Sequence, residues 1–418
     1  MSTGGDSSSL VRRLARQRSN ELGLLAAIVA VVAVTTVFSN AYRDKPLQNA
    51  QEILRQTSLL GVFALGAAIV IISGGIDLSS GSVIAFSGAV CASIMLALAP
   101  LDESGAPNTR DLGLAILAVA IAGTLLVGFL IGTLHAWLIT VVGLPPFVAT
   151  LASLVGLRSL ARVLVQEVTT VLTPTGRTTQ IYIYDEAFSR LGVTWWIPLG
   201  IFLTLSLLSW LLLSRTVVGR HLYAMGGNEA AARLSGIRTD HLKWLAYCLG
   251  AMTASIAGIL YMAEVRTAYP AVQGLGYELN AIAAAVVGGC SLQGGVGLIG
   301  GTMLGVLFLR VVIDAVAKLV KVGADEYQGI IVGVLVVLAV AFNELRRGGR
   351  GTGKQFFPGT LGILAIAILT VLAGALATMM LGKSPGLVVL VTTFVVLLAR
   401  RAAETRALRR RSIETGGS

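Results

Sequence analysis

The residue types that do chemistry are few in this sequence and poorly placed to do it. Of the three histidines, His221 and His241 lie in a basic stretch and His135 lies in a long apolar one. None is spaced with another as a metal pair. Gly382-Lys383-Ser384 ends like a phosphate loop, but Ala377 stands where the leading glycine is needed, and Gly351-Thr352-Gly353-Lys354 is followed by Gln355. Neither segment holds a nucleotide phosphate. Cys91, Cys248 and Cys290 fall within or at the ends of apolar runs and read as small apolar residues. No catalytic residue, metal site or cofactor is expected.

The polar residues that stand out are those embedded among apolar ones. Asp77, Ser79, Glu278 and Asn280 lie beside glycine pairs, Gly74-Gly75 and Gly288-Gly289, the latter followed by Gly294-Gly295. Ionisable groups inside apolar segments are candidates for a solute path. For Asp77 a second reading stands equally, as cap of a helix starting at Leu78. Arg310 and Asp314 are four apart and are expected to pair along one helix face. Arg158 and Arg162 lie towards one end of their helix, where long side chains can snorkel.

One polar segment has a finer design. In Gly226-Gly227-Asn228-Glu229-Ala230-Ala231-Ala232-Arg233-Leu234-Ser235-Gly236-Ile237, Asn228 suits an N-cap, Glu229 suits the positive end of a helix and Gly236 suits its stop. The pattern predicts a helix of about two turns, whose alanines would let another surface approach closely. The alternative is an ordinary connector.

The elements that must position these residues are long apolar helices. Of 418 residues, 55% are apolar and 13% charged, against about 25% charged in an average soluble domain. Apolar runs lie at 22–38, 57–73, 78–99, 113–142, 145–165, 195–213, 244–263, 278–290, 296–318, 328–343, 360–381 and 385–399. Several reach the roughly 20 residues that span a bilayer. The run at 22–38 reads as an uncleaved first helix, with a signal peptide as the alternative. With each run crossing once and the N-terminus cytoplasmic, the inside gaps hold 19 Lys and Arg and the outside gaps 9. That asymmetry supports both termini inside. The net charge of +11 is therefore a topology signal, and no nucleic-acid partner is expected. Gly74–Gly81 and Gly288–Gly295 also echo each other, with Gly-Gly, Leu and Gly at the same offsets. This reads as an internal repeat carrying broken helices, against chance recurrence of Gly and Leu.

With those residues in place, the sequence resembles the ribose/xylose/galactose-type ABC permeases over about 22–347. The resemblance rests on the 226–237 segment, on Gly74-Gly75-Ile76-Asp77-Leu78-Ser79, on Pro146-Phe147-Val148-Ala149-Thr150-Leu151, and on Tyr277-Glu278-Leu279-Asn280-Ala281-Ile282-Ala283-Ala284 with the glycines that follow. It implies an all-α polytopic fold of the type II ABC importer permease kind, to which the apolar runs and the charge asymmetry assign about ten membrane helices. It also implies a second permease copy, a cytoplasmic ABC ATPase subunit docked on Asn228–Ile237, and an extracytoplasmic solute-binding protein delivering a monosaccharide. Asn280 departs from the Asp usual in the family. The stretch 348–418, a two-helix hairpin with a basic tail, lies outside the pattern. The expected organisation is thus a cytoplasmic tail at 1–21, a permease domain at 22–347 and that extension, in a bacterial inner membrane.

A nucleoside or branched-chain amino acid is the rival solute. An ion-coupled transporter using Asp77 and Glu278 is the rival mechanism, and an intramembrane enzyme is disfavoured by the missing site chemistry.

Overall fold

The computed structural model describes residues 6–319 except 104 and 175, scattered positions between 329 and 337, residue 357, and 359–415 except 382. The chain is helical, and among the described residues nine helices are long and apolar enough to cross a membrane. In chain order the elements, long and short, begin with α1 (Asp6–Phe38), α2 (Ala41–Asp44), α3 (Pro46–Ile72), α4 (Ser80–Leu98), α5 (Gly113–Thr140) and α6 (Pro146–Leu172). There follow β1 (Ile181–Tyr182), α7 (Glu186–Val193), α8 (Trp196–Arg215), α9 (Val217–Gly227), α10 (Glu229–Leu234), α11 (Thr239–Val265), β2 (Thr267–Ala268), α12 (Tyr277–Val287) and α13 (Ile299–Leu319). The apolar run at 328–343 lies mostly outside the described residues.

The chain divides into two compact units, Met1–Ala341 and Phe342–Ser418. The second contains α14 (Gly359–Leu381) and α15 (Lys383–Thr415). Gly374 lies against Leu390 and Gly386 against Thr378, so these two helices run antiparallel.

In the first unit α3 is the central helix. Every residue from Thr57 to Ile72 is buried, because α8, α11, α12 and α13 pack around it. Helices α5, α6 and α8 instead turn Leu126, Leu130, Val155, Leu160, Leu207 and Leu208 outward. Outward leucines on long apolar helices suit lipid, which offers the interior no competing solvent. At one end of the bundle β1 and β2 pair antiparallel, Ile181 with Ala268 and Tyr182 with Thr267. At the other lie α9 and α10.

The run at 278–290 does not form a full crossing. Helix α12 has 11 residues, about 16 Å at 1.5 Å per residue, roughly half the hydrocarbon thickness. Its alanines are buried by protein on several sides, so apolarity here reflects packing, not span.

The α6 helix serves as a ruler for depth. Thr150 Oγ1 donates to Ile76 O at 3.3 Å, Ser82 Oγ donates to Leu154 O at 2.5 Å, and Arg158 reaches Gly274 O at 3.1 Å. These positions lie about 6, 12 and 18 Å along α6 from Pro146. The segment between α3 and α4 therefore climbs beside α6, and α4 starts well inside the bundle. Residues 269–276 descend from the sheet end to meet it, so α12 also starts at mid-depth.

The two glycine-rich breaks are structurally alike but one residue out of the register suggested by the sequence. After α3, the amides of Ser73, Gly74 and Gly75 bond to Ile69 O, Ile71 O and Val70 O at 3.0, 2.9 and 2.9 Å. After α12, those of Gly288, Gly289 and Cys290 bond to Ala284 O, Val286 O and Ala285 O, each at 2.9 Å. Gly74 has φ 86° and Gly289 φ 100°. Both ends are Schellman caps with the left-handed residue at C′. Gly74 thus corresponds to Gly289, and Ser73 to Gly288. Matching glycine to glycine misleads, because only the left-handed position needs one for its backbone.

Candidate functional site

At the α10 end the helix signals read from the sequence are present. Asn228 Oδ1 accepts from Ala231 N at 3.0 Å. Gly236 has φ 81° and closes the helix, with its own amide on Arg233 O and that of Ile237 on Ala232 O. Helix α10 is six residues long, and ion pairs tie it to α11: Lys243 to Glu229 at 2.6 Å and Arg233 to Asp240 at 3.0 Å. The chain itself therefore holds this short helix, without an external partner. Ala230 and Ala231 are exposed, and Leu234 is 90% exposed. Spacings of three and four put these three on one face.

Gly226 and Gly227 are the last residues of α9, which sequence reading missed. Its start signal is Thr216, whose Oγ1 accepts from Gly219 N at 3.0 Å; two valines after it masked the helix. Gly226 is wedged between both breaks. A β-carbon there would strike Ile72 O and Gly295 N, and one on Gly294 would strike Gly226 O and Gly74 Cα. Gly295 N donates to Ile72 O at 2.9 Å. Tyr223 adds a tie, donating to Gly297 O at 2.8 Å. Burial pushes its hydroxyl up to about 12, so it stays a donor. The glycines singled out separately in the sequence thus form one junction, in which α9 touches both breaks backbone to backbone. Beside it a hollow of about 300 Å³ is bordered by Asn228, Glu229, Lys243, Tyr247 and Gln293.

Gly288 and Gly289 make different demands, and that difference is testable. Gly289 has open space around it and only its positive φ to satisfy, whereas a β-carbon on Gly288 would strike Gly301 O on α13. Gly289→Ala should cost about 1–2 kcal/mol for the left-handed backbone. Gly288→Ala should lower the melting temperature of the purified protein further, because a carbonyl cannot rotate aside. Equal melting temperatures would show that α12 and α13 are not held this tightly.

The second locus is at mid-depth, where α4 and α12 begin. Asp77 Oδ1 accepts from Ser79 N at 2.8 Å and Ser79 Oγ at 2.6 Å, a turn that leads into α4; the helix starts at Ser80 with Ser79 at its N-cap position, so Asp77 is not the cap of a helix starting at Leu78. Glu278, in the first turn of α12, lies against Gly81 at the start of α4. Its Oε2 has no hydrogen-bond partner among the described residues. Asp77, Ser79, Glu278 and Asn280 are all buried within the subunit.

Arg158 does not snorkel. It is buried and donates to Pro270 O at 3.0 Å, Gln273 O at 2.9 Å and Gly274 O at 3.1 Å. One guanidinium, with its fixed fan of donors, ties down the irregular segment that enters α12. Arg162 is exposed.

Nor do Arg310 and Asp314 pair with each other. Arg310 donates to Gln56 Oε1 at 3.1 Å, while Asp314 accepts from Tyr42 and Lys318, each at 2.5 Å. Gln56 also donates to Glu264 at 2.6 Å, and Arg55 pairs with Glu264 at 3.2 Å. This network joins α3, α11 and α13. Sequence reasoning missed it because its partners lie hundreds of residues apart. Among the described residues, these contacts hold irregular backbone and neighbouring helices in place.

The sequence model of a family described as branched-chain amino acid transport system / permease component matches residues 49–340. The chain is 36% identical over 325 residues to the ribose import permease protein RbsC of Escherichia coli (strain K12), covering 78% of this chain and 93% of that one. The ribose import permease protein RbsC of Bacillus subtilis (strain 168) is 33% identical, with 78% and 92% covered. The D-allose transport system permease protein AlsC of Escherichia coli (strain K12) is 28% identical over 332 residues, with 78% and 92% covered. No solved structure matches the chain at a significant level.

Proposed function

Because the chain belongs to the family of branched-chain amino acid transport system / permease components, we propose that it is the membrane-spanning permease subunit of an ATP-binding-cassette importer for a monosaccharide. The ribose and allose permeases among its relatives favour a sugar over the amino acid in the family's description. The chain forms the path with a second permease copy, takes its solute from an extracytoplasmic binding protein and is driven by a separate cytoplasmic ATPase subunit. The α10 end and both termini face the cytoplasm, with the lipid bilayer around the outward leucines.

The observation that carries this reading is Leu234, 90% exposed on a capped helix whose charged residues are already paired within the chain. An exposed apolar knob beside two alanines, Ala230 and Ala231, fits a groove on a partner. The junction at Gly226 then links that groove to both breaks. Partner movement on ATP turnover acts as a conformational bias, passed from α10 through α9 to the starts of α4 and α13. Asp77, Ser79, Glu278 and Asn280 act behind the path, shaping it, and Gly74, Gly75, Gly288, Gly289, Gly294 and Gly295 let the breaks fold.

Burying a leucine contributes about 1.5–3 kcal/mol, so Leu234→Asp should reduce co-purification of the ATPase by about tenfold or more. Ala231→Trp should do the same by overfilling the contact. Both variants should insert at wild-type levels. Normal ATPase retention and normal sugar uptake in both would make α10 a connector only. Uptake by the chain without ATPase, driven by an ion gradient, would overturn the importer reading.

A further inference from the structure

Segment 269–276 poses a question about its surroundings. It comes down from the sheet end to mid-depth and is built of turns, with Gly276 at φ 75°. Its inner side is accounted for: Pro270 and Gly274 are buried, and their carbonyls and that of Gln273 accept from Arg158. Its outer side is uncovered. Val272, Leu275 and, in the first turn of α12, Leu279 are 60, 66 and 54% exposed. Glu278 and Asn280, on either side of Leu279, are buried.

Irregular backbone at this depth is tolerated only against protein or beside a water-filled space, because lipid tails offer its peptide groups no partner. The adjoining surface of α6 makes the same demand. Arg162 lies one turn beyond Arg158 and about 24 Å along α6 from Pro146. It is exposed, with no hydrogen bond or ion pair among the described residues. Its guanidinium needs water and not lipid tails. The outward faces of α5 and α8 carry neither irregular backbone nor an arginine short of their ends.

We propose that Val272, Leu275 and Leu279 face their counterparts in a second copy of the chain across the solute path, and close that path at mid-depth as an apolar gate. The inference rests on the reading of the chain as a permease subunit that works in pairs. An extracytoplasmic protein does not reach this depth and lipid does not suit the backbone, which leaves the second copy. Apolar side chains on both sides of a narrow passage expel water from it, so the gate is shut while the leucines touch. Helix α12 joins Leu279 to the break that touches Gly226, so a shift at that junction parts the gate.

The test uses the purified full chain in liposomes loaded with labelled ribose, without nucleotide. The wild type should retain the sugar. Leu275→Ser/Leu279→Ser should release it about tenfold faster or more, yet melt like wild type, because both side chains are more than half exposed. Leu207→Ser/Leu208→Ser, outward on α8, should retain it. In a two-fold pair, residues near the axis meet their own copies, and two cysteines bridge only with Cα atoms within about 7 Å. Oxidation should therefore join Leu275→Cys or Leu279→Cys into a covalent dimer and leave Leu208→Cys single; the natural cysteines are all buried. Retention of ribose by the Leu275→Ser/Leu279→Ser variant would overturn the gate. So would failure of Val272→Cys, Leu275→Cys and Leu279→Cys all to cross-link, which would leave this face to lipid. Leak and cross-link without ATP-driven uptake by the complete importer would uphold the gate and remove the importer reading.

Discussion

Gly226→Ala will cut transport at least tenfold, and Gly227→Ala, one residue on, will not. A β-carbon on Gly226 would sit against the carbonyl of Ile72 and the amide of Gly295, whereas around Gly227 there is nothing within 4 Å. Neither glycine has positive φ, so the contrast is purely one of space. Overpacking a tight site costs about 1–3 kcal/mol and more when the obstacle is backbone. Here the obstacle is backbone on both sides, and relief requires α9 to move away from the end of α3 and from the break that follows α12. Uptake by the reconstituted importer should fall at least tenfold for Gly226→Ala, for a barrier change of about 1.4 kcal/mol. ATP hydrolysis by the proposed partner subunit should continue, because α10 and its proposed docking face are untouched. Gly227→Ala should remain within about twofold, as a surface change away from such contacts does. If the two variants transport alike, the junction does not carry the coupling.

Arg158→Ala will be the most destabilising single change in the first unit. It strips donors from three carbonyls, those of Pro270, Gln273 and Gly274, and opens space beside Glu278. A buried acceptor left unsatisfied costs about 1–3 kcal/mol, so a total of about 3 kcal/mol or more is expected. The purified variant should melt well below wild type and should expose 269–276 to protease. Arg158→Lys should recover only part of the loss, since an ammonium lacks the planar fork. Arg162→Ala, at an exposed position one turn away, should melt like wild type. A wild-type melting curve for Arg158→Ala would mean that segment 269–276 is held by something else.

What the sequence disclosed and what it hid divide along the range of the interaction. Asn228, Glu229 and Gly236 mark α10 because a cap and a stop are written within a few residues of the helix they bound. The long apolar runs mark helices for the same reason, since hydrophobic length is a local property. Arg310 and Asp314 misled because spacing along one helix says nothing of Gln56 and Tyr42, more than 250 residues away in sequence. Arg158 misled in the same way: its three partners are carbonyls, which no side-chain pattern announces. Run 278–290 looked like a crossing because alanine and valine buried by protein are written in the same letters as those facing lipid. Gly226 was read as part of a loop motif, and its contact with Gly74 and Gly294 emerges only when three distant turns are brought to one point.

Bare peptide groups at mid-depth invite water, and a file of water molecules across a bilayer carries protons. The three carbonyls of segment 269–276 would be such an invitation, since each accepts hydrogen bonds and lies away from any regular helix. Occupied by the guanidinium of Arg158, they have no need of water. The side chain that fixes the segment thus also keeps it dry. Between one turnover and the next, the subunit is therefore expected to be tight to protons at this depth, and Arg158→Ala to make the membrane around it leak.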